Sequence, residues 1–63
     1  MTIEAYQRAT RLYMKIQRHK DFLETMTEDV EKAGTKAQKA IAIRRAETQR
    51  QIIREAEAEF ERL

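Results

Sequence analysis

His19 is the only imidazole in this sequence, and it interrupts a row of apolar residues. An imidazole titrates near neutrality, so it can serve as a general base, a metal ligand or a proton-linked switch. Each role needs partners. General-base catalysis needs a nucleophile or a second acid–base group within reach, and the sequence contains no serine and no cysteine. Zinc needs three or four ligands, and a single histidine with no paired acidic motif cannot supply them. No glycine-rich phosphate loop or nucleophile elbow is present. These residues point away from an enzyme and away from any bound cofactor or metal.

Two chemistries remain open at His19. In an antiparallel hairpin it faces Thr48 and Gln49, with Arg45 one turn before Gln49. The four form a polar layer in an apolar seam. A single buried polar residue fixes register and oligomeric state in coiled coils. The alternative is a small pocket in which His19 and Arg45 grip an anion. If the layer is buried, burial disfavours the charged imidazole, and acid is expected to loosen the assembly. A second cluster lies at mid-length, where Arg18 and Lys20 fall level with Arg44, Arg45, Arg50 and Arg54. Such a basic belt could follow nucleic-acid phosphates or hold an anionic ligand. Eleven acidic residues offset it, and no helix-turn-helix, zinc-finger or basic-zipper pattern appears.

These side chains are positioned by helices. Proline is absent, glycine occurs once, and 38% of residues are charged, a composition typical of long helices. The mean hydropathy of −0.82 suits a disordered chain, but the apolar residues are periodic, and disordered chains lack such periodicity. One stripe runs Ala5, Ala9, Leu12, Ile16, His19, Leu23, Met26, Val30, Ala33, with spacings alternating four and three. That is the seam of a helix built on a seven-residue repeat. Tyr6 and Tyr13 flank it on one side and Phe22 on the other. The face is wider than a two-stranded coil requires and suits a bundle. The tyrosines read as interface anchors, apolar with one polar tip, or as stacking platforms for a ligand or base. Met14 is a lone outer-face residue, and Ile3 and Ile43 fall off the main stripes.

A second stripe runs Ala42, Ala46, Gln49, Ile53, Ala56, Phe60, Leu63, widened by Ile41, Thr48 and Ile52. It is out of phase with the first, so something resets the helix between residues 31 and 41. Gly34 is the expected break, ending the first helix in the left-handed conformation that glycine tolerates. Thr35 and Gln38 form a capping box for the next helix, and Thr2 is the first N-cap. Helices are expected over about 3–32 and 36–63, joined by a turn at 33–35. Thr25 and Thr27 could cap a kinked segment, although the seam crosses them intact.

Charge sets the direction of packing. Net charge is +4 over residues 1–20, −5 over 21–31, +6 over 32–54 and −3 over 55–63. This largely opposes the dipole of each helix. Folding at Gly34, so that facing residue numbers add to about 68, lays acid beside base at both ends. The same fold line pairs Ala5 with Leu63, Leu12 with Ala56, Ile16 with Ile52 and Met26 with Ala42. Two independent patterns choose one fold: an all-α, two-helix antiparallel hairpin. A single long helix in an antiparallel coiled coil with a second copy would make nearly the same contacts.

With 63 residues, one core supplies no more than about 3–5 kcal/mol. Disulfides are excluded, which leaves self-association as the source of further burial. Two hairpins are expected to form a four-helix bundle. Its interface would use Ala5, Tyr6, Ala9, Leu12, Tyr13, Ile16, Leu23, Met26, Val30, Ile41, Ile52, Ile53, Ala56, Phe60 and Leu63. The absence of cysteine suits the cytoplasm. No secretory leader is expected from MTIEAYQRAT, and no apolar run approaches the ~20 residues of a membrane span. The expected function is a homo-oligomeric interaction module that binds another protein; nucleic-acid or anion binding through the belt is the alternative. In length and composition the chain resembles the short helical accessory proteins of phages and mobile elements, some of which sequester host factors. That resemblance implies a host protein or a small anion as partner and assigns no residue.

Overall fold

A computed structural model describes residues 2–63. Two helices, α1 (Ile3–Lys32) and α2 (Lys36–Glu61), pack against each other as a hairpin. The Cα trace measures 50 × 15 × 10 Å. Both helices begin on a threonine. Thr2 and Thr35 take extended backbone, and their hydroxyls accept from the N–H groups of Ala5 (3.0 Å) and Gln38 (3.1 Å). Each bond satisfies an amide that a helix start leaves unpaired. The Gln38 side chain completes the box one residue earlier than the standard pattern, accepting from the N–H of Gly34 at 3.1 Å.

The break between the helices differs from the sequence expectation in its mechanism. Neither Gly34 nor any other described residue has a left-handed backbone. The chain leaves α1 at Ala33 (φ −61°, ψ 127°) and enters α2 from an extended Thr35 (φ −132°, ψ 161°). The reversal is made by extended residues around Gly34, so no position needs a conformation that only glycine tolerates. A Cβ on Gly34 would meet only the Gln38 Oε1, at 3.5 Å, an ordinary contact.

The central threonines do not begin a new segment. Thr25 and Thr27 donate to the carbonyls of Asp21 (3.3 Å) and Leu23 (2.9 Å), so α1 continues through them. This back-bonding lets a mid-helix hydroxyl be satisfied without opening the helix. At the other end α2 stops at Glu61, short of the chain terminus. Its last carbonyls are met by the N–H groups of Arg62 and Leu63 and by the Arg62 side chain, which donates to the carbonyl of Ala58.

The core runs along the seam. Leu12 and Ile16 from α1 are buried with Ala42, Ala46, Ile53 and Ala56 from α2. Long side chains on one helix meet mostly alanines on the other, which brings the two backbones close and keeps the core thin. Because the turn strains no backbone, Gly34→Ala is expected to fold normally and gain about 0.4–1 kcal/mol by restricting the unfolded chain. Thr35→Ala should lose about 1 kcal/mol through the missing cap. Denaturant unfolding of the two variants measures both, and a Gly34→Ala hairpin less stable than wild type would contradict this turn geometry.

Candidate functional site

The polar layer is held by one cross-helix bond. His19 on α1 donates from Nδ1–H to the Gln49 Oε1 on α2 at 2.6 Å. The amide oxygen only accepts, so the proton sits on Nδ1. Both residues are half-buried in their seams. The His19 ring meets Phe22 edge-on, with centroids 5.7 Å apart and planes at 81°. The other two residues of the expected layer do not join it. The Thr48 hydroxyl donates to the Arg44 carbonyl at 3.0 Å. Arg45 is exposed and lines a shallow groove near the turn with Met26, Asp29, Ile41 and Ala42. No pair of cations converges on His19, so the layer has the form of a structural bond.

Two ion pairs bridge the helices toward the open end of the hairpin. The Arg8 guanidinium donates to the Glu59 carboxylate through Nε, at 3.1 Å, and through Nη2. Lys20 approaches Glu57 at 3.9 Å. In both pairs helix-1 bases meet the acidic tail of helix 2, and all four side chains are 38–61% exposed. Exposed pairs contribute little, about 0–1 kcal/mol each. The residue numbers of Arg8 and Glu59 add to 67, and those of His19 and Gln49 to 68. These two contacts lie on the fold line that charge and seam select, whereas Lys20 and Glu57, whose numbers add to 77, meet only by reaching along the helices. Glu59 itself could be found in the sequence only by applying that line residue by residue.

Burial sorts the expected interface residues into two groups. Leu12, Ile16, Ile53 and Ala56 are buried within the hairpin, and Ala5, Ala9, Leu23, Met26, Val30 and Ile52 are half-buried there. Tyr6, Tyr13, Ile41, Phe60 and Leu63 remain 40–65% exposed. The seven-residue repeat puts Tyr6, Tyr13 and Lys20 on one flank of the α1 seam, and Arg8, Lys15 and Phe22 on the other. On the tyrosine flank, Tyr13, Ile16, Lys20, Glu57, Phe60 and Glu61 line one groove. On the arginine flank, Arg8, Glu59, Arg62 and Leu63 line another.

The basic belt does not gather on one face. Arg18 and Lys20 are two positions apart, so they project about 200° from each other around α1. Lys20 reaches Glu57, and Arg54 donates to the Gln51 side-chain oxygen at 2.9 Å. Arg44 and Arg45 share a groove with Ala40, Ile41 and Thr48, while the seven-residue repeat sets Arg50 on the opposite flank of the α2 seam from Arg45. The six cations ring the hairpin. Among the described residues no three histidine, cysteine, aspartate or glutamate side chains are placed to hold a metal ion, and no helix is long and apolar enough to cross a membrane. Comparison with family models, curated proteins and solved structures finds no match to this chain.

Two tests follow from this geometry. The Arg8 hydrogen bond holds the Glu59 carboxyl below its ordinary value, helped by the charges of Arg8, Arg62 and Lys15 and opposed by desolvation. A lowered folded-state value adds stability above the ordinary carboxyl range and loses it as the pH falls through the folded value. Thermal unfolding followed from neutral pH into acid should show this loss in wild type and a smaller one in Arg8→Gln. For the polar layer, His19→Leu or Gln49→Leu alone should cost about 1 kcal/mol by stranding its partner, and the double variant should recover most of that loss. Additive losses in the double-mutant cycle would show that the 2.6 Å bond contributes nothing.

Proposed function

We propose that this chain is a self-associating helical interaction module that performs no chemistry and binds another protein. One observation carries the reading. Among the described residues, nine large apolar side chains, from Ile43 at 39% to Ile3 at 78%, stand exposed, against six buried in the core. Scattered surface apolars are normal, but here they outnumber the core and concentrate on its flanks. A hairpin this size holds together weakly by itself. The natural state of such a surface is a covered one, first by another hairpin in a four-helix bundle and then by a different protein. The proposed setting is the cytoplasm, and the likeness in size to phage and mobile-element accessory proteins makes a host factor the proposed partner.

The turn-proximal half of the arginine flank offers such a partner a mixed surface. Phe22 and Ile41 are 45% and 54% exposed, and Arg45 and Asp29 border the groove beside Ile41. Aromatic and arginine side chains are the residues that most often anchor protein interfaces. Nucleic-acid or anion binding has less support, because the cations that would make it face in several directions and two of them are engaged within the chain.

Immobilised wild-type chain is expected to capture a discrete protein from a cell extract. Phe22→Glu and Ile41→Glu should lose it, and Met14→Glu, on the outer face of α1, should keep it. Equal capture by all four would overturn the assignment of this surface. Capture of nucleic acid alone, abolished by salt, would replace the protein-binding reading with the belt.

A further inference from the structure

A folded monomer of 7.5 kDa exposes about 4,200 Å². This hairpin exposes 5278 Å², roughly 1,000 Å² more than that scaling allows. A standard protein–protein interface removes about 800 Å² from each partner. The surplus is the size of one interface.

The two flanks of the hairpin are not equally fit to supply it. At the open end of the arginine flank, Arg8, Lys15 and Arg62 surround Glu59 closely enough to act on its carboxyl. The repeat places Arg11 and Arg18 beside them. Laying this flank on itself would bring cation against cation and strip water from bases that outnumber the single carboxylate of Glu59 among them. On the tyrosine flank at the same level, Ile3, Tyr6, Tyr13 and Phe60 are 78%, 65%, 57% and 40% exposed. Tyr13 and Phe60 continue into the core, since both line the groove that reaches Ile16. The charges at its rim are Lys20, Glu57 and Glu61, one base and two acids, so a copy laid on it can oppose base with acid.

We propose that the tyrosine flank is covered by the same flank of a second copy, with Ile3, Tyr6, Tyr13 and Phe60 of each hairpin at the centre of a two-fold contact. This rests on the reading of the chain as self-associating and names the surface that does it. A two-fold contact is self-complementary. An apolar centre with a mixed-charge rim meets that condition, and an open end with a large excess of base over its one carboxylate does not. The dimer leaves the arginine flank, with Phe22, Ile41 and Arg45, facing outward.

Sedimentation of the full-length chain tests the proposal together with two single-cysteine variants, which are informative because the chain has no cysteine of its own. Wild type should sediment as a dimer. Tyr13→Glu should weaken the dimer at least about thirtyfold, the loss expected at an aromatic anchor, with helicity measured alongside. Tyr6→Cys should form disulfide-linked dimers on mild oxidation and Phe22→Cys should not, a readout that does not depend on Tyr13→Glu folding. A wild-type monomer at high concentration would sink self-association altogether. A wild-type dimer that cross-links through Phe22→Cys and not Tyr6→Cys, or that Tyr13→Glu leaves intact and folded, would overturn the tyrosine flank alone.

Discussion

The close approach of α1 to α2 along a single seam is what everything else in this hairpin depends on. Leu12 and Ile16 from one helix cluster with Ala56 of the other, and nearer the turn Ala42 and Ala46 are the buried residues of α2. Sliding α2 by one residue would rotate its stripe by about 100°. That slip would turn the alanines outward and take Gln49 away from His19. The register is therefore set by apolar packing, and the polar bond between His19 and Gln49 forms because the packing delivers both residues to the same level. The polar pair then raises the cost of any other alignment, since each alternative leaves an imidazole and an amide without a partner.

Charge acts differently. The blocks of like sign along the chain form few close pairs, and the cross-helix pairs that form are exposed. Their contribution to stability is small. Two helices running the same way would set base against base at one end and acid against acid at the other. The three-residue turn already forces the helices antiparallel; the charge blocks agree with that arrangement, and burial provides the free energy. The same division explains the arginine flank, where Arg8, Lys15 and Arg62 crowd one carboxylate. That end is costly to cover with an apolar partner.

The thin core has a functional consequence. Alanine on one side of the seam permits close packing but buries little area, and area is what stabilises. The apolar residues that would have thickened a monomeric core, Tyr6, Tyr13, Phe22, Ile41 and Phe60, lie on the flanks instead. In the proposed reading that surface is the means of recognition, and a bound neighbour would stabilise the hairpin by adding burial, so that folding and binding reinforce one another.

The sequence by itself determined the helices, the break between them, the direction of packing and the seam. Periodicity records which face a helix hides, and blocked charge records which way its neighbour runs; neither needs coordinates. Only the tertiary structure decided the details that depend on distance. It put the reversal on extended residues around Gly34, because Ala33 and Thr35 leave and enter their helices without help from a left-handed residue. It kept His19 and Gln49 together and sent Thr48 to its own backbone and Arg45 to the surface. A step of one residue around a helix separates side chains that share a level in the sequence pattern. It also spread the basic belt around the hairpin, for the same reason: closeness in number along a helix is not closeness in direction.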